Sequence, residues 1–230
     1  MSKLFTILKH VYRILPTTLR KTGPLRRLAF RIMEKIGDRD DIYSAKYYQT
    51  LVEPYARKSA PSMAQSIVET FHPESVIDIG CGSGALLVAL RKLGVRRLLG
   101  LDYADAGLDI ARARGLDTRK FDIVTEKLLY SACYDVVVSM ETAEHLPEDA
   151  ADRYVELLCS LAPLVIFTAA RPGQGGIGHL NEQPPEYWIE LFKAHGFHLA
   201  EKTTADWQTA WTAAGVANFY TRNLMVFQRT

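Results

Sequence analysis

The sequence predicts an α/β domain: a mainly parallel sheet with helices on both faces. Two patterns point there. Short apolar runs at 76–79, 97–101, 134–140 and 164–168 alternate with segments of helical period. The helical segments are closed by single glycines, Gly94, Gly115 and Gly196, where a left-handed residue ends a helix at little steric cost. A cluster of three glycines, Gly80, Gly82 and Gly84, also separates the first strand from the helix after it.

In chain order, residues 2–15 and 25–36 each carry apolar residues at helical spacing, interrupted by Pro16 and Gly23-Pro24. Gly37 and a charged stretch then read as a stop and linker, so residues 1–41 form a basic amphipathic helical arm and 42–230 the main domain. A helix that starts near Pro61 and runs to Phe71 caps the domain. Strand 76–79 leads through the glycines to a helix at 85–93, strand 97–101 to a helix at 104–114, and 121–124 suggests a third short strand. Strand 134–140 is followed by a helix at 150–161, strand 164–168 and a helix at 185–194. Runs 197–202 and 224–228 form a closing pair, and the segment 203–222 between them takes no assignment.

Charge separates the arm from the domain. Residues 1–36 hold nine Lys/Arg against Glu34 alone, whereas the remainder carries 19 basic and 25 acidic side chains. Apolar stripes rimmed by cations suit a membrane surface, a sister subunit or the arm's own domain; nucleic acid is the weaker fit, because no recognised RNA module accompanies the charge. Cys81, Cys133 and Cys159 form no paired framework, and no apolar run reaches the ~18 residues of a membrane span. The expected location is cytoplasmic, peripheral to the membrane if the arm binds lipid.

The strongest chemical signal is Val76-Ile-Asp-Ile-Gly-Cys-Gly-Ser-Gly84. Glycines there allow a tight turn and a close backbone approach to a ligand. Gly80, Gly82 and Ala85 also satisfy the permissive dinucleotide pattern, but Asp78, two residues before Gly80, is ill placed beside a pyrophosphate and well placed for an amino group or sulfonium. VIDIGCGSG resembles the first motif of the class I S-adenosylmethionine-dependent methyltransferases. The resemblance spans about residues 60–200. It implies a Rossmann-like seven-stranded sheet, mostly parallel with an antiparallel last strand and a helical N-terminal extension. It further implies S-adenosylmethionine held by Asp78, Gly80, Cys81, Gly82 and Gly84, with Asp102 on the ribose hydroxyls, Tyr103 beside it and Asp122 near the adenine. Asp135, at the start of the fourth strand, reads as structural or pocket-lining. Tyr47, Tyr48 and Tyr55 lie in the segment that closes over the cofactor in such enzymes, and core packing explains each of them as well.

Beyond the fourth strand, Glu141, Glu144 and His145 stand at i, i+3 and i+4, which on a helix would share one face. Two carboxylates and an imidazole suit a divalent cation (Mg, Mn, Fe or Zn). The string is similar to one in ubiquinone-pathway O-methyltransferases and in small-RNA 2′-O-methyltransferases; the latter implies a second histidine from a later loop, here His179. Such a cation would orient and acidify the hydroxyls of a diol. The competing reading makes Glu141 a cap, Glu144 solvated and His145 a general base acting alone. The expected activity is therefore O-methylation of a hydroxyl on a saccharide or other small polyol, with Glu141, Glu144 and His145 catalytic and a small molecule or glycan as acceptor. The alternatives are metal-free O-methylation of a catechol-like or polyketide hydroxyl, 2′-O-methylation of RNA, and a non-catalytic partner subunit. Homo-oligomerisation is compatible with all of them.

Overall fold

A computed structural model describes residues 43–126 and 134–230. The arm, residues 1–41, and Cys133 lie outside the described residues. Seven strands form one sheet in the order β3-β2-β1-β4-β5-β7-β6. They are β1 (Ser75–Ile79), β2 (Arg97–Asp102), β3 (Thr118–Lys120), β4 (Val136–Met140), β5 (Leu164–Thr168), β6 (Phe197–Leu199) and β7 (Met225–Arg229). The first five are parallel to one another, and β7 runs antiparallel to both β5 and β6. The expected Rossmann-like sheet with an antiparallel last strand is the observed one.

The central strands are buried on both faces, so they read as continuous apolar runs. Alternate residues feed two cores: Val76, Val136 and Val138 face one, Ile77, Ile79 and Val137 the other. The first core is covered by α2 (Glu53–Phe71), α3 (Ala85–Lys92), α4 (Asp105–Ala113) and α7 (Glu201–Ala213). The second is covered by α5 (Ala151–Leu161) and α6 (Pro185–Ala194), where Trp188 packs 5.2 Å from Phe167.

Ahead of α2, a short helix α1 (Ala45–Tyr47) widens into a π-helical stretch, Tyr48–Val52, so one continuous cap runs from residue 45 to 71. Pro61 therefore lies inside the helix; Pro54 is the proline at its start. The unassigned segment is helical: α7 is followed by α8 (Asn218–Asn223). The Trp207 and Trp211 indoles donate to Thr70 and Ser66, which pins α7 to α2. The closing run 197–202 is strand only to Leu199, because Glu201 already opens α7.

The third strand is displaced. It is formed by Thr118–Lys120, and residues 121–126 turn away from the sheet. Asp122 Oδ1 accepts from the Val124 N–H at 2.9 Å, and the Asp122 N–H donates to Glu126 at 3.0 Å. This local pairing offers the backbone an alternative to the sheet ladder, which apolar pattern alone does not register.

Candidate active site

The carboxyl ends of β1, β2, β4 and β5 open into a cavity of about 530 Å³, a volume suited to a cofactor-sized ligand. Gly80, Gly82, Asp102, Tyr103 and Ile123 line one end; Glu141, Glu144, His145 and His179 line the other, beneath the cap tyrosines.

At the first end the loop after β1 bends through Gly80, Gly82 and Gly84, all at positive φ. A Cβ on Gly80 would collide with Thr142, and one on Gly82 would press the Tyr48 ring at 3.2 Å, so the glycines serve both conformation and close approach. Asp102 closes the loop from below: its two oxygens accept from Gly82 N–H at 2.7 Å and Ala104 N–H at 2.8 Å. Carboxylate oxygens retain further lone pairs for ligand hydroxyls.

Asp78 is buried at the end of β1, beside a recess of about 80 Å³ that it shares with Gly80, Ser83, Met140 and Tyr220. Burial, then the Asp102 charge, pushes its carboxyl up to about 8. A cationic ligand group would reverse that pressure.

Not every residue named for the cofactor lines the main cavity. Cys81 borders the small recess, but its thiol packs behind the loop where a Cβ on Gly100 would sit; burial pushes that thiol well up, out of nucleophile range. Gly84 faces Leu116 and Ala111, away from the cavity. Asp122 holds its own turn, and Ile123 presents the cavity wall beside it. Asp135 is structural: its Oδ2 accepts from the Glu74 and Ser75 N–H groups and the Ser75 hydroxyl.

At the second end the turn after β4 does not enter an α-helix. Glu141 has a left-handed backbone, φ 52°, uncommon for a residue with a side chain, and Ala143–His145 forms a single 3₁₀ turn. The side chains converge by this bend, not by helical spacing. Carboxylate and imidazole ligand atoms of Glu144, His145 and His179 all lie within 4.8 Å of one another. Glu141 stands outside that trio. Its carboxylate accepts from Gln174 at 2.7 Å and Asn223 at 3.0 Å.

Glu144 is fully buried, and neither carboxylate oxygen has a hydrogen-bond partner. Burial, reinforced by the Glu141 charge, pushes its carboxyl well above the usual range, against the opposing influence of the Glu144 and Ala170 backbones. Burial also raises Glu141, against its amide partners. Two carboxyls so placed favour sharing a proton or a cation.

The histidines are oriented from outside the trio. His145 Nδ1 meets the Tyr43 hydroxyl at 3.1 Å, and His179 Nδ1 meets Glu182 Oε1 at 2.9 Å, with its Nε2 3.9 Å from Glu144. The loop Pro172–Gly178 passes directly over them: a Cβ on Gly176 would overlap the His179 ring, and one on Gly178 would lie 2.5 Å from the Tyr43 hydroxyl.

The cap supplies Tyr47, Tyr48 and Tyr55, the segment just before it Tyr43, and α8 Phe219 and Tyr220. Burial, with the Glu144 and Asp102 charges, pushes Tyr47 up to about 12, so it remains a neutral phenol. Glu53 at the start of α2 pairs with Arg114, and both reach Ser83 of the glycine loop, tying cap to cofactor end. Sequence reading named neither this brace nor Tyr43, Glu182, Gln174 or Asn223. Only Glu182 left a trace in the sequence, three residues after His179.

The sheet order and the glycine loop resemble those of class I S-adenosylmethionine-dependent methyltransferase domains. Residues 76–163 match the family model of a methyltransferase domain. The chain is 32% identical over 136 residues to a ubiquinone biosynthesis O-methyltransferase of Hydrogenovibrio crunogenus, covering 55% of this chain and 51% of that one. It is 34% identical over 144 residues to the enzyme so named in Hahella chejuensis, covering 58% and 55%. The alignments span about half the length of these two curated relatives. Among solved structures, an amino pentose methyltransferase from Micromonospora echinaspora with S-adenosylmethionine bound superposes with a TM-score of 0.58, at 19% identity over 76% of this chain and 92% of that one. Among the described residues, no helix is long and apolar enough to cross a membrane.

Proposed function

We propose that the chain transfers the methyl group of S-adenosylmethionine to one hydroxyl of a vicinal diol, with a divalent cation between Glu144, His145 and His179. The observation that carries this reading is the Glu144 carboxylate: fully buried, without a hydrogen-bond partner, and beside two oriented imidazoles. Buried carboxylates left unpaired are costly, and a cation offsets that cost. Bound there, the cation would supply Lewis acidity to an acceptor hydroxyl. The protein's own residues would do the rest. Asp78 receives the cofactor's ammonium end and Asp102 its ribose. Tyr43 and Glu182 fix the two imidazoles, and the cap tyrosines keep water from the reacting centre. With both reactants held in contact, proximity provides much of the acceleration.

The lining of the acceptor end supports a less polar acceptor than the expected saccharide. Its walls carry Tyr43, Tyr47, Tyr55, Phe219 and Tyr220. Of the four exposed large hydrophobic residues among those described, three, Leu51, Tyr55 and Ile177, line this cavity. Apolar surface gathered at a mouth favours a diol on an aromatic or otherwise apolar body over a free sugar. The relatives' names, ubiquinone biosynthesis O-methyltransferase, agree with such an acceptor. An RNA acceptor would face an acidic domain.

The Tyr43–His145 contact favours a second reading, in which His145 acts as a general base without a cation. Methyl transfer from labelled S-adenosylmethionine to a catechol, its monohydroxy analogue and a free sugar diol, with and without chelator, separates the two. The first reading predicts catechol methylation that chelator abolishes and Mg²⁺ or Mn²⁺ restores. Full activity in chelator, lost on His145→Gln, would establish the second.

A further inference from the structure

The carboxylate of Glu182 joins two segments. Oε1 meets His179 Nδ1 at 2.9 Å and accepts the Gly175 N–H at 2.8 Å, while Oε2 accepts the Gly173 N–H at 3.0 Å. His179 and Glu182 are both largely buried, with side-chain exposures of 8% and 9%, so the bond between them competes little with water, whereas Gly173 and Gly175 are exposed. Gly173 and Gly175 have positive φ, and Gly176 follows in contact with the His179 ring. One side chain therefore joins the loop's backbone to the imidazole, while Gln174 ties the same loop to Glu141, Arg222 and Asn223.

We propose that Glu182 is a positioning residue that couples closure of the loop Pro172–Gly178 to the tautomer of His179. A carboxylate accepts only, so in the neutral imidazole the proton resides on Nδ1 and the Nε2 lone pair faces Glu144. When the loop lifts, the same carboxylate loses two N–H donors and His179 loses its fixed orientation. Glu182 thus sets when the site can accept a ligand on Nε2, without touching that ligand itself. Outer partners of this kind govern the affinity of imidazole sites. The ligand is the cation proposed above; the coupling itself is a property of the ion-free chain.

The test uses ¹⁵N-labelled full-length protein without added metal, with His179→Gln identifying the resonance. Long-range ¹H–¹⁵N correlation is expected to give the Nδ1–H tautomer in the wild type and a mixture or the opposite tautomer in Glu182→Ala. Amide exchange at Gly173 and Gly175 should accelerate together, by about tenfold or more, on loss of these bonds. An Nε2–H tautomer in the wild type overturns the proposal, as does a Glu182→Ala protein with unchanged tautomer and exchange. If the alanine variant does not fold, Glu182→Gln is read by the same criteria, with smaller shifts expected from its neutral acceptor. Mn²⁺ titration should then weaken by about 10–100-fold in the variant. Absence of Mn²⁺ binding to the wild type would count against the cation, while the tautomer and exchange results would still decide the role of Glu182.

Discussion

Asp78 and Glu144 are buried carboxyls whose ordinary acidity is suppressed by their surroundings, and each should respond to removal of its charge. The Asp78 pKa rises from the usual carboxylate range to about 8 on folding. Between about 4 and 8 the folded state therefore holds a proton that the unfolded chain has released, and stability falls as pH rises through that window. Asp78→Asn should raise the melting temperature of the ligand-free protein at pH 7.5, by roughly 2–4 °C per kcal/mol recovered, while weakening S-adenosylhomocysteine binding. The ligand's ammonium needs the ionised carboxylate, so wild-type affinity should increase with pH by up to tenfold per unit below about 8 and then level. An affinity that is flat from pH 6 to 8 would remove Asp78 from this role. Glu144→Gln should likewise stabilise the ion-free protein and abolish Mn²⁺ binding measured by calorimetry. At this scale Asp78, Asp102 and the Glu144–His145 pair were legible, because their spacing from a strand end is local. Tyr43 and Glu182 were not, because what makes them functional is their contact with histidines brought in by the fold.

The elements place these residues through bends that hydrophobic periodicity does not encode. The spacing of Glu141, Glu144 and His145 would put them on one face if the turn entered a helix; the chain instead bends at Glu141 and makes one 3₁₀ turn. The grouping was anticipated and its cause was not: a non-glycine left-handed residue leaves no mark in the sequence. The third strand was misplaced for a related reason, since Asp122 holds residues 121–126 in a turn. The loop Pro172–Gly178 is the more predictable element. Gly178→Ala would add a left-handed strain of about 1–2 kcal/mol and press on Tyr43 and His145. It should lower turnover at least tenfold while leaving S-adenosylhomocysteine affinity within about twofold, because that ligand's end of the cavity is remote from the loop. The brace at the other end makes the converse prediction. Arg114→Ala frees Glu53 and Ser83, and should weaken S-adenosylhomocysteine binding by about 1–3 kcal/mol with faster dissociation in stopped flow.

For the whole molecule, a parallel sheet directs the ends of four strands into one cavity, and a helical cap closes it. That architecture was readable from the alternation of apolar runs and helices, since buried parallel strands tolerate few polar residues. The region 203–222 was not readable because α7 alternates small polar residues with two tryptophans and has only a weak apolar stripe. The arm, residues 1–41, remains a proposed membrane-surface contact resting on its charge and spacing. Full-length protein should co-sediment with anionic liposomes at low salt and dissociate as salt rises, and a chain starting at residue 42 should not bind; equal recovery of both chains would refute the contact.

The central claim is that one cavity holds the cofactor and a divalent cation side by side. Crystals grown with S-adenosylhomocysteine and Mn²⁺, with anomalous scattering recorded at the manganese edge, test it most directly. The predicted result is nucleoside density against Asp102 and Tyr103, with one anomalous peak among Glu144, His145 and His179. Nucleoside density with no peak at that trio, under saturating Mn²⁺, would contradict the cation-assisted account and leave His145 as the base.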